Sequence, residues 1–367
     1  MADPRIEKLA AVLVDYSLAV REGQLVVVSG TPLAEPLLRS VVRLVLERGA
    51  HPAVQVALPG LSELFLRAAS DRQLQYITPD ERIGPEQADA LLRVLGESNT
   101  RALTGIDPQR QQVFQRARTE LRRVYLQRAA EGKLNWCLTL FPTEAYAQDA
   151  EMSLAEYEEF VFQAGMLDTD DPVTAWRAQG QEQQRLIDWL KDKRDVHILA
   201  PDTDLRLSII GRTFISADGR RNFPDGEIFT GPVETSVTGH IRFSFPSIVS
   251  GRRVEDIRLW FEEGRVVKAT AARNEPFLHR MLETDEGARY LGEFAFGLNP
   301  RITRFTGHIL FDEKIGGTIH LAIGAGYPET GSRNQSAVHW DMICDLRQQS
   351  EVWIDGRLFM KDGQIVI

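Results

Sequence analysis

Apolar residues recur every three to four positions over 6–16 and again over 35–50, where EPLLRSVVRLVLERGA ends at Gly49, and this spacing predicts two amphipathic helices. Between and after them, GQLVVVSG (23–30) is a short apolar run ending in a turn and reads as a buried strand, and HPAVQVAL (51–58) reads as another strand. Helix, strand, helix, strand in so short a span implies right-handed crossovers in a parallel sheet covered by helices. Further helix is predicted over 62–69, 85–95, 110–130, 151–165 and 172–190, and strand over 135–142 and 195–200, with NTRALTG (99–105) ending another strand.

Near residue 200 the pattern changes. RLSIIG, TFISADG, IFTGPVET, HIRFSFP and EDIRLWFEEGRVVKATA are short, turn-bounded and β-branched, with Glu262, Glu263 and Gly264 joining two strands as a hairpin. A helix through EPFLHRMLETDEGARYLG follows, then strand signals at GHILFD, TIHLAIG, AVHWDMIC, SEVWIDG and RLFMKDG. The expected fold is α/β, in two parts: an N-terminal α/β domain over 1–200 with a largely parallel sheet, and a mixed α+β domain over 201–367 rich in antiparallel strands. No Gly/Ser- or Pro-rich tract separates them, and no repeat of 20–50 residues is present.

At 367 residues, with 43% hydrophobic and 26% charged positions, the chain exceeds one small fold and carries enough apolar material for substantial cores, so wholesale disorder is excluded. Its 43 basic and 52 acidic residues give a net charge of -9, and no basic stripe interleaved with aromatics offsets it, which argues against nucleic acid as a partner. Apolar runs fall short of a membrane span, and the first residues carry charges at helical intervals, so a cytoplasmic protein without membrane partners is expected. Cys137 and Cys344 lie in apolar surroundings and read as buried free thiols.

SGTPLAEP (29–36) lacks both GxGxxG and GxxxxGK, and a turn after a strand accounts for its glycine. The unusual polar residues lie in the second half. In HWD, His339 and Asp341 emerge on one face of a strand and Trp340 on the other, an arrangement suited to a divalent metal but, taken alone, more often a surface or core pair. His320 sits in the otherwise apolar TIHLAIG, where a core histidine bonded to a carbonyl is the plain alternative. Glu293, Asp312, Glu313, Tyr327 and Glu329 are likewise set among apolar residues and glycines, and burying several carboxylates calls for pairing or ligation. Glu227, after the turn in NFPDGEIF, could equally be solvated.

PDGEIFTGPVE, LGEFAFGLNP, GHILFDEKIGGTIHLAIGAGYPETG and NQSAVHWDMI, in that order, resemble the M29 metallopeptidase family, the thermophilic aminopeptidase T type. The resemblance covers the second half well and the first half more diffusely. It implies two divalent metal ions per chain, Zn, Co or Mn, held by Glu227, Glu293 as the bridge, His320, His339 and Asp341, with Tyr327 as the active-site tyrosine and Glu313 beside the site in proton handling or metal support. It further implies an aminopeptidase that hydrolyses the N-terminal residue from short peptides with a free N-terminus through a two-metal-activated water, and a homodimer. The KIGGTI spacer after Glu313 is longer and richer in glycine than the family's, which leaves side-chain preference open. The rival readings are a non-peptidase metalloenzyme of the same fold, either a small-molecule amidase or a mononuclear iron ring-cleaving dioxygenase, and a metal-stabilised binding protein without turnover.

Overall fold

The computed structural model describes residues 3–249 and 251–367. Two compact units result, one of residues 3–175 with 219–224, the other of 176–218 with 225–367. The chain therefore changes unit within the helix Pro172–Leu190 and returns briefly to the first unit, whereas the sequence suggests a division at 200.

The first unit is built on a five-stranded parallel sheet, ordered 51–56, 25–30, 90–95, 135–140, 222–223. Val26, Val27 and Val28 of the strand Leu25–Gly30 are all buried, as expected of a central parallel strand covered on both faces. The helix Glu35–Glu47 buries Leu37, Leu38, Val41, Leu44 and Val45, the stripe that its spacing predicts.

Three local expectations are corrected. Residues 85–95 are not helical throughout: Ala90–Leu95 is a strand of the parallel sheet, with Ala90, Leu92 and Val94 buried in alternation, while 99–105 contains no strand. A short apolar run such as ALLRVL fits either periodicity, and pairing with both neighbouring strands decides it. GHILFD is not a strand either; Ile309–Asp312 is a single helical turn whose Leu310 N–H donates to the His308 ring nitrogen Nδ1 at 3.2 Å.

The second unit contains an eight-stranded and a five-stranded antiparallel sheet, together with a two-stranded ribbon. One core joins the two large sheets: Ile198, Leu205 and Ile241 from the first meet Phe294, Phe296, Leu321 and Trp340 from the second, along with Leu186 and Leu190 of the long helix. The predicted α/β first part and the antiparallel second part are thus both present. Cys137 and Cys344 are buried and unbridged. Among the described residues, no helix is long and apolar enough to cross a membrane.

Candidate metal centre

The five-stranded antiparallel sheet carries the site. Glu227–Thr230, Leu291–Gly297, Thr318–Gly324 and His339–Asp345 are consecutive neighbours in it. Side chains alternate between faces, and one face supplies Ile228, Phe294, Phe296, Ile319, Leu321, Ile323, Trp340 and Met342 to the core. Glu227, Glu293, His320, His339 and Asp341 consequently share the opposite face. A register irregularity between Leu291 and Glu293 sets the phase, because Leu291 belongs to the core and simple alternation would have sent Glu293 there too.

Small residues make room above this face. Glu293 pairs with Ala322, which pairs with Asp341; His320 pairs with Ala295; and Glu227 pairs with Gly297. Gly226, at φ 122°, delivers Glu227 to its strand, and a Cβ there would lie 2.8 Å from the Asn299 side chain. Gly324, at φ 96°, closes the His320 strand opposite His339, where a Cβ would meet the Val338 carbonyl at 2.1 Å.

The donors converge into three groups, each with its atoms within 4.8 Å of one another: Glu227, Glu293 and His320; Glu293, His339 and Asp341; and Glu313, His320 and Asp341. His320 Nε2 lies 3.3 Å from Glu227 Oε2 and 3.5 Å from Glu293 Oε1. His339 Nε2 lies 3.3 Å from Glu293 Oε2 and 3.5 Å from Asp341 Oδ2. These separations exceed ordinary hydrogen bonds and match the spacing of about 3.3 Å between tetrahedral donors placed about 2.0–2.1 Å from a shared ion.

The chemistry of the donor set fits a divalent cation. The Ala325 carbonyl, 2.8 Å from His339 Nδ1, suits an Nδ1–H donor, which leaves Nε2 facing the two carboxylates as the atom that would exchange a proton for an ion. Glu227 Oε2, Asp341 Oδ1 and His320 Nδ1 are buried without a hydrogen-bond partner, an uncommon condition for buried polar atoms.

Electrostatics point the same way. Burial pushes the Glu227, Glu313 and Asp341 carboxyls up, with the Glu293 charge adding to the rise at Asp341, and Lys314 and His320 offset only part of the rise at Glu227. Burial would raise Glu293 also, but the two imidazoles hold it down to about 2. Burial would lower the imidazoles, yet Glu227 and Glu293 hold His320 up at about 9, and Glu293 and Asp341 hold His339 up at about 10. Protons on the imidazoles thus compensate a cluster rich in negative charge, and an ion can displace them.

All seven residues singled out in the sequence meet here. Tyr327 is 39% exposed, its ring 5.2 Å from that of His339 and 5.3 Å from that of Phe229, and burial together with the surrounding carboxylates raises its hydroxyl pKa. Glu313 follows the turn Ile309–Asp312. Two other acidic residues stand apart: Glu329 is exposed, and Asp312 is buried, accepting from the Thr306 N–H at 2.7 Å and its hydroxyl at 2.8 Å. The sequence reading missed Lys314 and Asp225. Lys314 is fully buried, with Nζ 2.6 Å from Glu227 Oε1, 3.6 Å from Asp225 Oδ1 and in contact with Glu313. Its one sequence signal is a lysine inside the otherwise apolar and glycine-rich stretch that follows Glu313.

A sheet face of carboxylates and imidazoles with no thiolate defines a centre of the divalent-metal enzyme class. Residues 2–364 match the profile of the thermophilic metalloprotease (M29) family, and the chain belongs to it. Aminopeptidase T of Thermus aquaticus is 29% identical over 395 residues, covering 98% of this chain and 95% of that protein. Aminopeptidase 2 of Geobacillus stearothermophilus is 27% identical over 401 residues, 99% and 95% of the two chains. The structure of wild-type AmpT from Thermus thermophilus superposes with a TM-score of 0.87 at 27% identity, covering 99% of each chain. A 2,5-dihydroxypyridine dioxygenase from Pseudomonas putida KT2440 shares the fold alone, with a TM-score of 0.62 at 15% identity over 100% of this chain and 98% of that one.

Proposed function

We propose that this protein is a metal-dependent aminopeptidase that removes the N-terminal residue from short peptides, with its centre in the second unit. The observation that carries the reading is Glu293, whose two carboxylate oxygens face the imidazoles of two separate three-donor groups. Glu227, Glu293, His320, His339 and Asp341 would hold two divalent ions, and an N/O donor set suits Zn, Co or Mn. Such a pair, when bound, supplies a water acidic enough to attack near neutral pH and a Lewis acid for the scissile carbonyl.

The chain's own groups do the rest. Tyr327 keeps its proton, because its pKa is raised, and donates a hydrogen bond to the carbonyl oxygen as charge develops there. Glu313, whose carboxyl burial raises, takes the proton released on attack and passes it to the leaving amine. The substrate's free α-amine meets a carboxylate of the cluster, which favours removal of terminal residues over internal cleavage. The presence of both Glu227 and Glu293 in the donor set supports two-ion hydrolysis over single-iron oxygen chemistry.

Metal analysis of protein purified without chelator, joined to a screen of free-amine dipeptides before and after chelation, tests this reading. Two ions per chain and cleavage restored by Zn, Co or Mn are expected; one ferrous ion with oxygen consumption on a hydroxylated ring would replace the reading. A homodimer belongs to the same proposal, and sedimentation as a monomer at micromolar protein would remove it.

A further inference from the structure

Lys314 is held rigidly. Its side chain is fully buried, its N–H donates to the Phe311 carbonyl at 3.0 Å, and its own carbonyl accepts from the Asn299 N–H at 3.0 Å. Asn299 Nδ2 in turn donates to the Asp225 carbonyl at 2.8 Å, so the backbone that carries Lys314 is tied to the segment leading into Glu227. This ammonium is a fixed charge inside the cluster.

Its position divides the two oxygens of Glu227. Oε1 receives the ammonium at 2.6 Å, whereas Oε2 faces His320 without a hydrogen-bond partner and is the oxygen left for an ion. The group formed by Glu227, Glu293 and His320 therefore has a cation seated against one of its donors. The group formed by Glu293, His339 and Asp341 has no Lys or Arg within ion-pair distance among the described residues. A fixed positive charge competes for carboxylate charge and repels a divalent ion, and it does so more strongly in a buried setting than in water.

We propose that Lys314 is a resident cation that makes the two ion positions unequal: the ion at Glu293, His339 and Asp341 is held tightly, and the ion at Glu227, Glu293 and His320 is held weakly and exchanges. The inference rests on the two-ion reading above and adds an order to the filling of the centre.

The test is calorimetric titration of the chelator-stripped full chain with Zn²⁺, followed by dialysis against metal-free buffer and metal analysis. One ion should survive dialysis, and the second should bind at least about tenfold more weakly. Lys314→Met should narrow the gap at least about tenfold by strengthening the weak step, while Lys314→Arg, which keeps the charge, should preserve it. Asp225→Asn removes a carboxylate from the ammonium without touching a donor and should widen the gap; it decides the matter if Lys314→Met does not fold. Equal affinities for both ions in the wild type, a single ion at every Zn²⁺ concentration, or an unchanged gap in Lys314→Met or Asp225→Asn would overturn the inference. Absence of Zn²⁺ binding by the wild type would instead overturn the metal reading and the inference with it.

Discussion

Glu293 spans two imidazoles from different strands, its Oε1 3.5 Å from His320 Nε2 and its Oε2 3.3 Å from His339 Nε2. One carboxylate thus belongs to two of the three donor groups, and removing its charge should disturb those two. Glu293→Gln preserves size and should lose at least one bound ion and at least roughly 10²-fold in turnover with the fold retained, as metal analysis, circular dichroism and kcat will show. Glu329→Gln, at an exposed position outside the groups, should be far milder. Equal losses at the two positions would mean that Glu293 is not the shared ligand.

His339 and Asp341 emerge on one face and belong to the same donor group, while Trp340 is buried on the other face with its Nε1–H bonded to Ser247 Oγ. His339→Ala and Asp341→Ala should weaken the same binding step, and the double variant should be markedly non-additive in metal affinity. Trp340→Phe should chiefly lower thermal stability. Additive effects with an intact metal complement in either single variant would reduce HWD to a structural pair.

Tyr327→Phe removes a hydroxyl assigned to charge that grows in the transition state. It should lower kcat by roughly 10²-fold and change KM much less. A rise in KM with unchanged kcat would make Tyr327 a substrate-positioning residue instead.

Asp285 ties down the approach to His339. It accepts from the Ala337 N–H at 2.8 Å, the Ser336 hydroxyl at 2.8 Å and the Ala288 N–H at 2.9 Å, and these donors hold its carboxyl below the usual range. A lowered folded value means that the carboxylate stabilises the fold above the ordinary pKa of about 3.9 and loses that contribution as pH falls through the folded value. Asp285→Asn should therefore cost no more than about 1 kcal/mol near pH 7 in denaturant unfolding, because solvent screens a partly exposed carboxylate, with the difference from wild type shrinking below about pH 4. A difference that is independent of pH would assign the cost to geometry rather than to charge.

Period-two alternation made the His339–Asp341 pair legible, and the amphipathic helix over 35–47 was equally plain. The strand at 90–95 was obscured because ALLRVL satisfies either period until its partners are known, and the turn at 309–312 because HILF is too short to show one. Within the site, Glu227 reads locally as a solvated turn residue; its burial comes from the pairing of its strand with those of Glu293 and Ala217 on either side. Lys314 was invisible for a related reason. A lysine beside a glutamate ordinarily faces water, and its burial depends on carboxylates contributed by residues 225 and 227, far away in the chain.

The most direct test of an aminopeptidase compares one small dipeptide with its N-acetylated form, using protein of verified metal content. Loss of the amine's charge and fit should lower kcat/KM by at least about 10²-fold, because that end of the substrate is assigned to recognition by the cluster. Equal cleavage of the two forms, or no cleavage of any free-amine peptide by metal-loaded protein, would contradict the account.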